Sequence, residues 1–151
     1  MAVVSLKDVV DALDLQSDQL SSYLDPSTGE IITFNEEEAS IAIRGNWDNA
    51  PEWMKESLTK IKRALEDDRI LELPDQVHID EWRMMQDFAL KQEQCKCRQE
   101  LDSAVHGTGA FRSFKDAIRR LGIEEAWFRY RDSEYERVAK TWLEENGIAY
   151  R

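Results

Sequence analysis

Apolar and polar residues recur at helical spacing at the start of the chain, and the pattern then changes to that of a β-hairpin. Ser5 stands at an expected helix N-cap, and the apolar face that follows it consists of Leu6, Val9, Val10 and Leu13. The turn-forming segment DPSTG comes next and separates SSYL from the β-favouring IITF. The pattern therefore predicts a short helix followed by a two-stranded hairpin.

Two helices and a strand are predicted after the hairpin. Asn35, with Glu38 three residues later, indicates a helix start, and the apolar pattern of this helix ends near Ile43. Pro51 suits the first turn of the next helix, whose apolar face consists of Met54, Leu58, Ile61 and Leu65. The segment RILEL then predicts a strand that joins the hairpin in a small sheet.

The remainder of the chain has helical periodicity throughout. Helices are predicted over about 79–91, about 96–105 and 111–121. The segment EEAWFRYR then precedes a last helix, because Ser133 and Glu136 form a capping-box pattern. Gly147 is expected to end this helix.

These elements predict a fold of the α+β class. A small antiparallel sheet, made of the hairpin and one further strand, lies with its helices in residues 1–77. The mainly helical residues 78–151 are expected to pack on this α+β half. A chain of 151 residues is long enough for one ordinary core, so we predict a single domain over residues 1–151.

Charge is unevenly distributed along this acidic chain, whose formal net charge is −11. Residues 1–106 hold 11 lysines and arginines against 23 aspartates and glutamates, whereas residues 107–131 hold 6 against 3. The overall charge argues against general attraction to nucleic acid or to anionic membranes. The first residues lack the features of a signal peptide, and no apolar run reaches the roughly 20 residues of a membrane-spanning helix. We therefore expect a cytoplasmic protein with no membrane partner.

The basic tract of residues 107–131 is the candidate binding site. Its glycines leave backbone N–H groups accessible at the start of a helix, and its cations follow on that helix and on the next segment. We expect an anion site for a phosphate, a nucleic-acid backbone or a partner's carboxylates, formed by Gly107, Gly109, Arg112, Lys115, Arg119, Arg129, Tyr130 and Arg131. Tyr130 is expected to be exposed between its two arginines. The alternative is structural, because the same cations could dock the helical half on the acidic half through arginine–carboxylate pairs.

Aromatic residues supply a second lead. Phe111 and Phe114 belong to an apolar face of the basic tract that we expect in the core, together with Ile118 and Leu121. Trp47 stands in the polar loop RGNWDNAPEW and is the candidate for a partner surface. The other four tryptophans have helical positions that are typical of core residues.

Catalytic and metal-binding groups are sparse. The chain has no Walker loop and no G-x-G-x-x-G, H-E-x-x-H or G-x-S-x-G motif. His78 and His106 suit structural or exposed positions, and Cys95 with Cys97 supplies only half of a zinc site. We therefore expect no catalytic residue, no metal and no cofactor. The favoured hypothesis is a non-enzymatic binding or regulatory protein that acts through protein–protein contacts, and the alternative is a binder of nucleic acid or a nucleotide that uses the basic tract. An enzyme that acts on a phosphorylated substrate is the third hypothesis.

Five blocks along the chain also resemble one bacterial family. They are VSLKDVVDALD, YLDPSTGEI, LEDDRILELP, GAFRSFKDAIRRLGIEEAWFRYRD and WLEENGI, and the match covers nearly the full length. On these blocks the chain resembles the bacterial family catalogued as uncharacterised protein family 0158. The resemblance implies a small bacterial cytosolic protein and assigns no activity, cofactor or catalytic residue. Ser113 stands where members of that family carry an arginine, which removes one charge from the basic tract.

Overall fold

The computed structural model describes residues 2–16, 19–45, 47–75 and 79–151. Within these residues the chain has the α+β architecture predicted from the sequence, with seven helices and a three-stranded antiparallel sheet. It divides into two compact units: unit 1 consists of Met1–Gln76 and Val138–Arg151, and unit 2 consists of Val77–Arg137. The boundary after Gln76 is close to the predicted boundary after residue 77. Residues 138–151, which were predicted in the helical half, group with unit 1 instead. The single-domain organisation stays a prediction.

The described part of unit 1 contains the sheet and three complete helices. Its elements in chain order are α1 (Leu6–Leu15), β1 (Leu20–Leu24), β2 (Ile31–Asn35), α2 (Glu36–Arg44), α3 (Glu52–Glu66) and β3 (Leu71–Glu72). The strand order is β2-β1-β3, and both pairings are antiparallel. The predicted hairpin and the predicted third strand are therefore confirmed.

Local chemistry fixes the ends of these elements. Ser5 caps α1, and Asn35 and Glu38 form the complete capping box of α2. The hairpin turn ends at Gly29, whose φ is +77° and whose N–H donates to the Asp25 carbonyl oxygen at 2.8 Å. Glycine suits this position, because residues with a Cβ rarely adopt the left-handed conformation.

The sheet of unit 1 carries helices on both faces. On one face Tyr23 and Ile32 pack against a core cluster shared with α2 and α3. The buried members of this cluster are Phe34, Ala42, Leu58, Ile61, Ala64 and Ile70. Because side chains alternate along a strand, Ser22 and Leu24 lie on the other face, where α1 contacts β1 and β2.

The two ends of unit 1 are hydrogen-bonded to each other. Val4 and Tyr150 form a parallel β-bridge. The Val4 N–H donates to the Ala149 carbonyl oxygen at 2.9 Å, and the Arg151 N–H donates to the Val4 carbonyl oxygen at 3.0 Å. Ile148, just before this bridge, is buried. Unit 1 is therefore closed by residues from both ends of the sequence.

The described part of unit 2 is helical. Its helices are α4 (Glu81–Leu90), α5 (Cys95–His106), α6 (Ala110–Arg120) and the first part of α7 (Glu124–Glu145). Three aromatic rings form the centre of its core, with ring centroids 5.4 Å apart for Phe88 and Trp127 and 4.8 Å apart for Phe114 and Trp127. No helix among the described residues combines the length and the apolar character needed to cross a membrane.

The prediction of a helix start at Ser133 is wrong. Ser133 and Glu136 lie inside α7, which runs without interruption from Glu124 to Glu145. No glycine or proline stands between Glu124 and Ser133, so nothing ends the first turns of the helix. A serine followed three residues later by a glutamate also fits an exposed helix face, and the pattern alone does not separate the two cases.

Candidate functional site

The basic tract lies in unit 2, on the turn before α6, on α6 and on the first part of α7. Gly109 is the N-cap of α6, with φ at +65°, and no side chain caps this helix. The N–H groups of its first turn therefore have no side-chain acceptor, which is the arrangement expected for an anion. Gly107 has an extended backbone, so only Gly109 needs the conformational freedom of glycine.

The basic face of α6, formed by Arg112, Lys115 and Arg119, is exposed as the helical spacing predicted. No described residue forms an ion pair or a hydrogen bond with the side chain of Arg112 or Lys115. The Arg119 Nε lies 3.5 Å from Glu124 Oε2, and both side chains are well exposed. Such a pair is weak in water, so a ligand could compete for Arg119.

Arg129 and Arg131 do not extend this face together. Arg129 is 76% exposed and pairs with Glu125, one turn earlier on the same helix, at 3.6 Å. Arg131 is only 17% exposed, and its Nε donates to Glu81 Oε1 at 2.7 Å. It also donates to the Tyr135 hydroxyl at 3.1 Å and lies 4.3 Å from the centre of that ring. The expectation that Arg131 completes an open pocket is wrong, because this side chain is held inside unit 2.

Tyr130 is half-buried, so the expectation that it is exposed between Arg129 and Arg131 is wrong. Its ring packs 5.5 Å from Phe88 and 6.2 Å from Trp127, and the Lys91 Nζ lies 4.7 Å from its centre. Burial of the hydroxyl and the nearby charge of Glu134 raise the pKa of Tyr130. The ring therefore packs at the edge of the aromatic core and is partly covered by Lys91, so it does not stand open between Arg129 and Arg131.

The exposed aromatic residue of α6 is Phe111, which the sequence placed in the core. Its side chain is 50% exposed, whereas Phe114, Ala117 and Ile118 are buried. The buried face is displaced from the predicted one because Ala117 joins it, and Phe111 in the first turn lies beyond its edge. The open part of α6 consequently combines an aromatic ring with unpaired cations.

Tryptophan positions in unit 1 also differ from the expectation. Trp47, the predicted partner surface, packs against the core cluster of α2 and α3, and its Nε1–H donates to the Ile41 carbonyl oxygen at 3.0 Å. Trp53 in the first turn of α3, by contrast, is 74% exposed. The helical spacing predicts this exposure, because Trp53 lies about 100° around the helix axis from Met54 and its apolar face.

The described histidine and cysteine residues form no metal-binding cluster. Cys95 is exposed and Cys97 is buried. The ring of His106 packs against Trp82 with centroids 6.0 Å apart, and its Nδ1 lies 2.8 Å from the Asp102 carbonyl oxygen. No three histidine, cysteine or acidic side chains among the described residues could together hold a metal ion. His78 lies outside the described residues.

A cavity of about 330 Å³ lies beside the hairpin turn of unit 1. Its lining includes two acids, Asp25 and Asp67, and two arginines, Arg63 and Arg69. Arg69 donates to both carboxylate oxygens of Asp67 at 3.1 Å, and Arg63 lies 3.3 Å from Asp25 Oδ2. These opposite charges neutralise one another, so the cluster ties the hairpin turn to the end of α3 and offers no net charge to a ligand.

Asp25 is the buried member of this cluster, with its side chain 5% exposed. Burial alone would raise the pKa of the carboxyl. Hydrogen bonds from the Ser27 hydroxyl at 2.6 Å and the Ser27 N–H at 2.9 Å, together with the Arg63 charge, outweigh it. The net effect is a pKa of Asp25 below its ordinary value, so the residue is ionised at neutral pH.

No family model matches the chain, and no curated protein or solved structure matches it either. The function is therefore inferred from the chain's own surfaces.

Proposed function

We propose that this chain is a non-enzymatic binding or regulatory protein that acts through protein–protein contacts, and that Trp53 is central to its contact surface. The observation that carries the proposal is the exposure of Trp53, 74% of whose surface is open to solvent. Tryptophan is among the residues that contribute most to protein interfaces, because a large rigid ring leaves water on binding. The lack of catalytic motifs in the sequence supports a role without chemistry.

The charge around Trp53 indicates what kind of partner would fit. Unit 1 holds 9 lysines and arginines against 19 aspartates and glutamates. Glu52 directly precedes Trp53, and Glu56 lies nearly a turn after it. Their well-exposed side chains pair with Lys55 at 3.1 Å and with Lys60 at 3.8 Å, and such exposed pairs are weak in water. A partner with an apolar pocket surrounded by basic residues would complement both the indole and the acids.

The test compares Trp53→Ala with Leu90→Ala in affinity capture from a bacterial lysate, followed by titration of the purified partner. Leu90 is a matched control, because it is also exposed but lies on α4 of unit 2. We expect Trp53→Ala to weaken the complex by at least about thirtyfold and Leu90→Ala by less than about threefold. Equal affinities of the wild type and Trp53→Ala for every captured protein would reject the proposal.

A second candidate function is the binding of a phosphate group, in nucleic acid or a nucleotide, by the basic face of α6. The observation that favours it is that Arg112 and Lys115 are exposed and have no partner among the described residues. The uncapped first turn at Gly109 adds N–H donors at the same end of the helix.

Salt dependence tests this second candidate. A labelled single-stranded oligonucleotide is titrated with the wild type, with Arg112→Glu combined with Lys115→Glu, and with Lys7→Glu combined with Lys62→Glu. The two double variants change the net charge equally, but the control pair lies in unit 1. If the basic face is the site, the first double variant lowers the slope of log affinity against log salt by about two. Equal loss in both variants would show attraction by net charge alone.

We also propose that the chain belongs to the bacterial uncharacterised protein family 0158 and works in the cytoplasm. The five sequence blocks support the first statement, and the two free cysteines support the second. Cell fractionation with an antibody against the protein checks the compartment, and recovery from the periplasm would contradict it.

A further inference from the structure

Strand β2 leaves one side of its backbone unpaired within the described residues. The strand order β2-β1-β3 puts β2 at an edge of the sheet. An edge strand presents N–H and C=O groups to which another extended chain can bond. This edge is therefore a place where a partner could add a strand.

The register identifies which backbone groups face outward. The Asp25 N–H donates to the Glu30 carbonyl oxygen, so that pair is hydrogen-bonded, and the next pair, Leu24 with Ile31, is not. The Ser22 carbonyl oxygen accepts from the N–H of Leu73, the residue after β3, so the backbone groups of Ser22 face away from its partner Thr33. The backbone groups of Ile31 and Thr33 consequently point away from β1, and no described residue bonds to them.

A groove of about 410 Å³ lies between α1 and this part of the hairpin. The apolar part of its lining includes Leu15, which is 61% exposed, and Ile31 of β2. An exposed leucine beside an open strand edge gives a bound segment both main-chain bonds and an apolar contact.

The charged part of the same lining is entirely acidic. It consists of Asp8 and Asp11 of α1 and Glu30 just before β2, and no lysine or arginine is among the described lining residues. Glu30 is paired with Lys60 at 2.7 Å, whereas the carboxylates of Asp8 and Asp11 are exposed and have no ion pair with any described residue. The groove thus offers two uncompensated negative charges one helical turn apart.

We propose that this groove binds an extended, basic segment of a partner protein, which adds as a strand to the outer edge of β2. Its backbone bonds to Ile31 and Thr33, and its lysine or arginine side chains reach Asp8 and Asp11 with their apolar stems over Leu15. The inference rests on the proposed protein-binding function but names a surface that does not include Trp53. Trp53→Ala should therefore leave this interaction unchanged, and the two proposals can fail separately.

A second copy of the chain is a poorer occupant than a basic segment. If two β2 edges paired, the Asp8 and Asp11 side chains of both copies would be brought together. Like charges at such a junction repel, and acidic residues beside an open edge are a known protection against self-pairing. Charge complementarity consequently selects a cationic partner.

The test uses a fluorescent peptide of alternating lysine and valine at low salt. Two derivatives carry backbone N-methyl groups, on every lysine in one and on every valine in the other. In an added strand only alternate N–H groups face β2, so one derivative should lose about tenfold in affinity and the other should bind like the parent. Amide hydrogen exchange of Ile31 and Thr33 should slow when the parent peptide binds.

Charge variants provide the matched control. Asp8→Asn combined with Asp11→Asn should weaken binding about tenfold, whereas Glu36→Gln combined with Glu37→Gln on α2 should weaken it less than about threefold. Absence of binding, equal loss in both N-methylated peptides, or equal loss in both double variants would overturn the proposal. Protection of Ile31 and Thr33 that rises with protein concentration in the absence of peptide would overturn it as well, because the occupant would then be a second copy.

Discussion

Arg129 and Arg131 stand two positions apart on α7, and their side chains have opposite surroundings. Replacing Arg131 by methionine removes the bond to Glu81 and leaves that acid without its arginine partner. We expect Arg131→Met to lower the free energy of unfolding by about 2 kcal/mol. Arg129→Met removes only an exposed pair and should change it by less than about 0.5 kcal/mol. Urea unfolding followed by circular dichroism measures both, and equal effects would contradict an internal role for Arg131.

Asp25 gives a prediction about pH. Asp25→Asn keeps an acceptor for the Ser27 N–H but loses the charge opposite Arg63, and we expect it to cost about 1 kcal/mol at neutral pH. The folded state lowers the pKa of this carboxyl, so the stability from its ionised form is present above the ordinary value of 3.8. It is lost as the pH falls through the lower pKa of the folded state.

The measurement is the unfolding free energy of the wild type and of Asp25→Asn from neutral pH downward. The difference between them should stay constant to about pH 5 and shrink below about pH 4. A difference that grows on acidification would contradict the lowered pKa.

The exposure of a side chain can be predicted from the sequence where helical spacing alone decides it. The basic face of α6 is in solvent because its three cations share one side of a helix whose opposite side is apolar. The surroundings of Tyr130 and Trp47 depend on which other elements cover them, and the chain order does not contain that information. The sequence is compatible with Arg131 as an anion-binding residue or as an internal partner of an acid, and the position of Glu81 decides for the second.

Helix α7 yields a prediction at the level of elements. If Ser133 were an N-cap, its replacement by alanine would cost about 1 kcal/mol. Because Ser133 is exposed in the interior of α7, we expect Ser133→Ala to stabilise the protein by up to about 0.5 kcal/mol. The sign of the change, measured by thermal or urea unfolding, separates the two cases.

Elements with strong end signals were found from the sequence, and elements without them were not. The capping box of Asn35 and Glu38 and the turn before Gly29 act within a few residues, so local chemistry predicts them. The start of α7 at Glu124 has no comparable signal, because the segment from Gly122 to Ser133 reads equally well as a loop or a helix. The groove beside β2 needs α1 and the hairpin together, and no local pattern indicates it.

Unit 1 as a whole depends on the last residues of the chain. A chain that ends at Gly147 loses the buried Ile148 and the backbone bonds between Val4 and the residues around Tyr150. We expect this truncation to lower the free energy of unfolding by about 3 kcal/mol and to speed hydrogen exchange in α1.

Tyr150→Phe is the control for this truncation, because it keeps the backbone pairing and removes the hydroxyl that donates to Glu144. Its cost should be less than about 1 kcal/mol. If the truncated chain and Tyr150→Phe were equally stable, the end-to-end pairing would contribute nothing. The sequence could not predict this pairing, since it joins residues that are separated by nearly the entire chain.

The pairing of Val4 with Tyr150 also has a consequence for biosynthesis. Domains usually fold in the order in which the ribosome makes them, beginning at the N-terminus. Here the sheet and its helices are synthesised first, but their unit cannot close until residues 149–151 have been added. The residues of unit 2 are all present earlier, so unit 2 can complete its fold on the ribosome before unit 1.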